Sequence, residues 1–328
     1  MKNAKIISSG MYVPDQIIPN SYFNEVLGED VDTWLRQNVE IYNRRWCTEH
    51  ESTADLCENA ARQCLDRAGM SADSLDLIII ATDTPEYVSP STAAILQDRL
   101  KATKAGTFDL NSACAGFVTA METASHFIRS GSVKNALVIG AYAMSKYLNK
   151  TDKKTVTLFA DGAGAVLLTA TDDMKTGFQT GKLQTRGEYA DWMGIYSGGT
   201  QQPVNCNRIQ NNDHQLKFVK KFPPELNPTM WSNLAKDLAS EMNIGMEEVD
   251  QFLITQININ AIRATLDILG VPEDKAQTVM HEYGYTGSAC IPIAFHEAWE
   301  NGKIKEGDTL FFIGSGGGLA FAANAFVL

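Results

Sequence analysis

The ten residues FDLNSACAGF, positions 108–117, carry the strongest structural signal in the chain. Their pattern predicts a strand that ends near Leu110, a turn of small residues, and a helix whose first turn carries Cys114. A helix N-terminus offers free N–H groups and a partial positive charge, which favour a thiolate. We therefore expect Cys114 to have a pKa below the ordinary thiol value of about 8.5 and to be a candidate nucleophile. A buried structural cysteine is the alternative interpretation.

The chain contains a second copy of this arrangement. Ser-Ala-Cys recurs at 288–290, where it again precedes a helical pattern. Asp76 and Asp250 each precede a buried apolar strand, and Gly140 and Gly314 each end the following strand. Three matched pairs in the same order, at nearly equal spacing, indicate an internal duplication. The sequence thus predicts an α/β fold of two packed halves with a shared interface, where binding sites are often found.

The predicted halves are residues 1–173 and residues 174–328. A loop-rich insertion, at about 175–228, interrupts the second half, and we expect it to shape or cover a pocket. Apolar runs predict strands at 77–81, 136–140, 158–168, 250–255 and 309–314. Helical periodicity and capping residues predict helices at 52–68, 91–100, 231–242, 261–269 and 289–301.

Composition excludes several classes of partner. The 328 residues carry a formal net charge of -11, which disfavours binding to nucleic acid or to an anionic membrane. No secretory segment is expected at the start, and the longest apolar runs are too short to span a bilayer, so we expect a cytoplasmic protein. Six cysteines form no C-x-x-C pair, and no metal site is predicted. Local basic patches are expected at Arg44, Arg45, Lys153 and Lys154.

A glycine-rich turn at 313–318 forms a second candidate site element. Four glycines in five positions after a strand would leave backbone N–H groups unobstructed by side chains. If the two halves pack as the duplication indicates, this turn and Cys114 meet at the interface, where their N–H groups would form an oxyanion hole. An ordinary surface turn remains the alternative.

Taken together, these motifs resemble the β-ketoacyl-acyl carrier protein synthase III family of the thiolase superfamily. The segments that carry the resemblance span nearly the whole chain: 10–14, 53–56, 113–117, 158–165, 283–289 and 316–318. The resemblance implies a thiolase-like five-layer αβαβα fold and a homodimer. It also implies that Cys114 accepts an acyl group from acyl-CoA or an acyl carrier protein, and that a malonyl thioester then attacks that group. A CoA or phosphopantetheine thioester would be the substrate, with no further cofactor.

The resemblance also assigns roles to further positions. It implies that Gly318 is the oxyanion glycine, that Phe159 lies beside the substrate tunnel, and that Trp34 lines the CoA entrance. Asn258, Gly316 and Gly317 are implied as further substrate-binding residues.

Two catalytic positions depart from the family pattern. Thr255 occupies the place of the family's histidine, and Tyr285 that of its asparagine. Asn38 and Asn260 replace basic residues at the entrance. Of the five histidines, His281 could reach the site only if its loop bends inward.

Three hypotheses follow from these replacements. The first is an acyltransferase that passes the acyl group from Cys114 to an acceptor other than a malonyl enolate. The second is a decarboxylating 3-oxoacyl synthase in which the hydroxyls of Thr255 and Tyr285 replace the usual pair. The third is a non-catalytic subunit of a heterodimer with a homologue.

Overall fold

The computed structural model describes residues 2–328 and contains two large sheets with closely similar strand plans, besides two sheets of two strands each. The strands are β1 Asn3–Tyr12, β2 Ile17–Pro19, β3 Asn43–Arg45, β4 Leu77–Ala81, β5 Gly106–Leu110, β6 Asn135–Ala143, β7 Asp161–Thr171, β8 Gly177–Thr185, β9 Met193–Gly194, β10 Lys217–Phe218, β11 Gln251–Ile254, β12 Thr309–Gly316 and β13 Ala320–Val327. The helices are α1 Asn20–Leu27, α2 Asp32–Asn38, α3 Thr53–Ala68, α4 Thr92–Leu100, α5 Gly116–Arg129, α6 Lys153–Val156, α7 Cys206–Gln210, α8 Leu226–Met242, α9 Ile259–Leu269, α10 Met280–Tyr283 and α11 Cys290–Glu300.

The two sheets share one connection pattern. The first has the order β1-β7-β6-β4-β5, with β4 parallel to β5 and β6 and the remaining pairs antiparallel. The second has the order β11-β12-β13-β8, with β11 parallel to β12 and the remaining pairs antiparallel. An isolated parallel bridge between Phe252 and Ala276 stands where β5 stands in the first sheet. The predicted duplication is therefore confirmed.

Helices and sheets alternate in the five predicted layers. Helices α3 and α4 pack on the outer face of the first sheet, and α8 packs on the outer face of the second sheet beside α9. Helices α5 and α11 touch both sheets and form the central layer. Apolar side chains fill the spaces between these layers. No helix within residues 2–328 has the length and apolar character needed to cross a membrane.

Two glycines, one in each half, allow the backbones of the two halves to pack closely against each other. A Cβ atom on Gly140 of the first half would lie 2.2 Å from the backbone oxygen of Ser288 in the second. A Cβ atom on Gly314 of the second half would lie 2.9 Å from the Cα atom of Ala115 in the first. Each glycine thus packs against the Ser-Ala-Cys turn of the opposite half, which places Cys114 at the interface.

Several boundaries differ from the sequence-based expectations, and three of these differences have a clear physical reason. The strand predicted from residue 158 begins at Asp161, because Leu158 and Ala160 instead pair with the backbone of Tyr285. The start of the predicted insertion is strand β8, which pairs with β13 at the edge of the second sheet. Helix α8 begins five residues early because Pro228, near its start, is tolerated where no intrahelical N–H bond is required.

Candidate active site

Cys114 lies in a tight turn between β5 and α5. The turn, Ala113–Ala115, is a single 3₁₀ turn, and the α-helix proper begins only at Gly116. Ala113 has a φ of 46°, a left-handed conformation that is uncommon for a residue other than glycine. The side-chain oxygen of Asn111 accepts a hydrogen bond from the Ala113 N–H at 3.0 Å and holds the turn. Such a constrained backbone is typical of functional turns.

The glycine-rich turn packs directly against Cys114. A Cβ atom on Gly316 would lie 2.4 Å from the Cys114 backbone nitrogen, so only glycine fits at this point of contact. Gly317 and Gly318 line the adjacent cavity, and Gly318 has a φ of 138°. The structure therefore brings together the two elements that the sequence predicted to meet. The roles of these glycines in substrate binding and in an oxyanion hole stay predictions.

The hydroxyl of Thr255 is bound to the backbone of the neighbouring strand. Its oxygen accepts a hydrogen bond from the Ser315 N–H at 2.9 Å, and it donates to the Ser315 carbonyl at 3.4 Å. Thr255 is fully buried and follows β11 directly. Its side chain therefore fixes the end of β12 just before the glycine turn, and its one donor is already engaged.

Tyr285 is buried beside the predicted nucleophile. Its N–H donates to the Leu158 carbonyl at 2.9 Å, and its carbonyl accepts from the Ala160 N–H at 2.9 Å. Its ring centroid lies 5.4 Å from that of Phe159. The Tyr285 hydroxyl interacts with the Cys114 thiol and lowers the pKa of that thiol. Tyr285 and Phe159 thus form an aromatic wall next to Cys114.

The expected low pKa of Cys114 is wrong. Burial raises the pKa of the Cys114 thiol well above its ordinary value, and the negative charge of Asp83 acts in the same direction. Cys114 is only 2% exposed. The cost of removing a thiolate from water therefore outweighs both the turn dipoles and the Tyr285 hydroxyl, and the group is a neutral thiol in this state.

A cavity of about 240 Å³ adjoins the nucleophile turn. Ala113, Gly318, Tyr142 and Asp83 line one side of it. Residues of the loop-rich segment close the other side: Ala190, Met193, Gly194, Ile195, Tyr196 and Leu216. The segment predicted to shape a pocket thus covers this cavity. We call it the nucleophile cavity.

A second cavity, of about 480 Å³, lies beside Leu158 and Phe218. Trp34, which is 55% exposed, and Asn258 both line it, and their roles in substrate binding stay predictions. Its basic lining residues are Lys153, Lys154, Lys220 and Lys221. Phe218, which also lines it, lies 6.3 Å from Phe159 between ring centroids. We call it the basic cavity.

The other predicted basic patch is absent from the surface. Arg44 is fully buried, where it donates to the Ile18 carbonyl at 3.1 Å and to the side chain of Asn20 at 2.6 Å. Arg45 donates to the Pro14 carbonyl at 3.2 Å. Both arginines therefore stabilise the N-terminal strands. The neighbouring residues in the sequence did not indicate that these arginines would be buried.

The histidines lie elsewhere. His281 is exposed on α10, and its ring packs near Tyr42 at 6.5 Å between centroids, so its loop does not bend towards Cys114. Within residues 2–328, no histidine lines the nucleophile cavity, and no group of three or more His, Cys, Asp or Glu side chains could hold a metal ion.

Sequence reasoning missed three charged residues of these cavities, Asp83, Lys220 and Lys221. Asp83 follows the carboxyl end of the parallel strand β4, an edge where functional side chains of α/β sheets often lie. That position was the one available signal. The two lysines sit in the loop-rich segment, whose path the sequence did not reveal.

Comparison with known proteins agrees with this geometry. The family model for 3-oxoacyl-[acyl-carrier-protein] synthase III matches residues 108–187, and the model for the C-terminal part of that family matches residues 239–328. The β-ketoacyl-[acyl-carrier-protein] synthase III of Clostridium perfringens is 38% identical over 330 residues, which cover 98% of each chain. The 3-oxoacyl-[acyl-carrier-protein] synthase III of Aquifex aeolicus superposes with a TM-score of 0.89 at 32% identity, covering 99% of this chain and 100% of the other.

The corresponding crystal structure from Thermus thermophilus gives a TM-score of 0.91 at 28% identity, with 99% of each chain covered. Both halves of the chain are thus matched, and the match extends over almost the full length of each relative. The thiolase-like five-layer fold is confirmed. This coverage, together with the contact between the two turns at the interface, shows that the chain belongs to the 3-oxoacyl-[acyl-carrier-protein] synthase III family of acyltransferases.

Proposed function

We propose that this protein is an acyltransferase that takes an acyl group from an acyl-CoA or acyl-carrier-protein thioester onto Cys114. The observation that carries the proposal is the contact between the Cys114 turn and the glycine turn at the junction of the halves. The Gly316 contact leaves no room for a side chain beside the Cys114 backbone nitrogen. A tetrahedral oxyanion formed on Cys114 would have the N–H groups of Cys114 and Gly318 as its nearest donors.

The basic cavity suits the phosphopantetheine arm of the donor. CoA and acyl carrier protein share this arm, and its phosphate, together with the further phosphates of CoA, would meet the four lysines at the cavity rim. These lysines stand in for the entrance residues that are absent at Asn38 and Asn260. The Asn260 side chain instead donates to the Asn38 carbonyl at 2.8 Å. Trp34 and Asn258 would contact the arm itself.

A route from the basic cavity to Cys114 passes the aromatic wall. Phe218 packs on Phe159, Phe159 packs on Tyr285, and the Tyr285 hydroxyl interacts with the thiol. The thioester end of the arm would therefore have to move Phe159 or Tyr285 to reach the sulfur. The acyl group itself would occupy the nucleophile cavity.

The bonds already made by Thr255 and Tyr285 disfavour decarboxylating condensation. An enolate formed by decarboxylation needs hydrogen-bond donors, and loss of one such donor typically costs about 2.7–4 kcal/mol. The Thr255 hydroxyl is engaged with Ser315, and the Tyr285 hydroxyl interacts with Cys114. We therefore infer that the acyl group passes to an acceptor other than a malonyl enolate, in fatty acid or polyketide-type synthesis in the cytoplasm. A homodimer is inferred from the family; a heterodimer with a homologue is the alternative assembly.

Intact-protein mass spectrometry tests this function. The protein is incubated with a panel of acyl-CoA and acyl-carrier-protein thioesters beside Cys114→Ala and Cys290→Ala. Cys290 is the matched control because it is buried in the equivalent turn of the other half. We expect a gain of one acyl group in the wild type and in Cys290→Ala, and none in Cys114→Ala. Retention of the label in Cys114→Ala, or no label with any donor, would refute the proposal.

A second measurement separates the two enzymatic hypotheses. The acyl-enzyme is mixed with malonyl-CoA or malonyl-acyl carrier protein, and release of CO₂ is followed together with loss of the acyl mass. We expect no CO₂ release above that of Cys114→Ala. Stoichiometric CO₂ release would establish decarboxylating condensation instead.

A further inference from the structure

The loop after β4 holds a carboxylate in a fixed position. Asp83 lies between two buried threonines, Thr82 and Thr84. The Thr82 hydroxyl oxygen accepts from the Thr84 N–H at 3.0 Å, and the Thr84 hydroxyl oxygen accepts from the Ala143 N–H at 2.9 Å. The Thr84 carbonyl accepts from the Thr53 hydroxyl at 2.6 Å. Because the backbone is held on both sides, the Asp83 side chain has a defined direction.

That direction is into the nucleophile cavity. Asp83 lines it together with Ala113 of the nucleophile turn and with Asn111, Tyr142 and Tyr196. Asp83 Oδ1 is buried and has no hydrogen-bond partner among residues 2–328. An unpartnered buried polar atom is costly, so its presence beside a ligand cavity indicates a partner supplied by the ligand.

The groups that face Asp83 supply no positive charge. Cys114 on its turn, Tyr142 on β6 and Tyr147 on the following turn each have a pKa that the Asp83 charge helps to raise. Burial raises the pKa of Asp83 itself to about 7. The carboxyl therefore gains from any ligand group that donates a hydrogen bond or carries a positive charge.

From this juxtaposition we propose that Asp83 selects the acyl group, which is short and carries a hydroxyl or amino group that donates to the Asp83 carboxylate. The proposal rests on the function proposed above, since the acyl group is the one attached to Cys114. The cavity that Asp83 and the neighbour of Cys114, Ala113, both line holds an acyl chain of about 240 Å³ or less. A purely apolar chain would leave Oδ1 both desolvated and unpartnered, whereas a hydroxyl or ammonium group would satisfy it.

Three thioesters of nearly equal size provide the test. Butyryl-CoA, 3-hydroxypropionyl-CoA and β-alanyl-CoA place a methyl, a hydroxyl and an ammonium group at the same distance from the carbonyl carbon. The rate of mass gain at Cys114 is measured for each with the wild type, Asp83→Asn and Asp83→Val. A hydrogen bond to a charged group corresponds to a preference of about 10- to 150-fold. We expect the wild type to favour the hydroxyl or ammonium donor over butyryl by this factor.

The variants locate that preference at Asp83. Asp83→Val should lose the preference and accept butyryl-CoA best, and Asp83→Asn should keep a preference for the hydroxyl but lose that for the ammonium. Equal wild-type rates, or a rank order that neither variant changes, would overturn the role of Asp83 while leaving acylation of Cys114 intact. Absence of label from these three thioesters, with label from another donor of the wider panel, would refute the role of Asp83 alone, and absence of label from every donor would refute both proposals. The wild-type comparison stands by itself should Asp83→Val fold poorly.

Discussion

Replacing Asp83 by asparagine should stabilise the protein, and the gain should grow with pH. In the folded chain burial raises the pKa of Asp83 to about 7, whereas an unfolded aspartate titrates near 3.9. The Asp83 carboxyl group is therefore still protonated in the folded state over a pH range in which it is already ionised in the unfolded state. Ionising the group favours unfolding, so wild-type stability falls as pH rises from about 4 to about 7 and then levels off. Asparagine carries no charge and removes this penalty.

The magnitude follows from the difference in pKa. Each unit of difference between the folded and unfolded pKa corresponds to about 1.36 kcal/mol. Ionisation of Asp83 therefore lowers the free energy of unfolding by at most about 4 kcal/mol above pH 7 and by about 1.5 kcal/mol at pH 5. The unfolding entropy is about 2.1 cal/mol/K per residue, or roughly 0.7 kcal/mol/K for a chain of this size. Asp83→Asn should therefore raise Tm by up to roughly 6 °C at pH 8 and by roughly 2 °C at pH 5.

Thermal unfolding of the wild type, Asp83→Asn and Asp161→Asn at pH 5 and pH 8 measures this effect. Asp161 is a buried carboxylate whose two oxygens both accept hydrogen bonds, from the Cys47 N–H at 2.7 Å and the Ser145 N–H at 2.8 Å, whereas Asp83 Oδ1 has no partner among residues 2–328. Burial raises the pKa of Asp161 too, so Asp161→Asn removes a penalty of ionisation but also loses one of these two acceptors, and its gain in Tm at pH 8 should be smaller than that of Asp83→Asn. An Asp83→Asn variant whose Tm gain is the same at both pH values, or which is destabilised at pH 8, would show that Asp83 has a satisfied environment and would refute the reasoning.

The remaining predictions concern the nucleophile and the entrance. Gly316→Ala should abolish acylation while circular dichroism stays unchanged, because the new Cβ atom would lie 2.4 Å from the Cys114 nitrogen. Gly317→Ala is the control: its Cβ atom would have its nearest neighbour at 3.6 Å, so this variant should retain most of the rate of acylation. Tyr285→Phe removes a group that lowers the pKa of Cys114, so alkylation of the thiol at pH 8 should slow, and a faster reaction would contradict this interaction. Lys220→Ala should raise KM for acyl-CoA several-fold with little change in kcat, and added salt should erase the difference.

Much of the fold was predictable because its central elements have strong local signals. The strand at 77–81 is an unbroken apolar run and is buried along its whole length. Helices α3 and α4 begin at Thr53 and Thr92, each one residue after its predicted start, and the residues at those predicted starts, Ser52 and Ser91, are the N-caps. Strand β8 was not predicted, because an edge strand with one side facing solvent is rich in polar residues and resembles a loop.

The site was predictable only where the duplication constrained it. The paired spacing placed the Cys114 turn and the glycine turn at one interface, and the structure confirms their contact. The pKa of Cys114 was not predictable, because the side chains that bury it come from distant segments such as those around Tyr142 and Tyr285. The unpartnered state of Asp83 likewise depends on tertiary packing, which its neighbours in sequence do not reveal.

The two catalytic replacements and Asp83 form one consistent set. Thr255 and Tyr285 each direct a hydroxyl at an atom of the protein itself, the Ser315 backbone in one case and the Cys114 thiol in the other. Neither hydroxyl therefore needs a substrate to satisfy it, whereas Asp83 Oδ1 does. In a site arranged for an enolate, unpaired donors should face the substrate; here an unpaired acceptor faces it. The polarity of the site thus favours a substrate that brings its own hydrogen-bond donor.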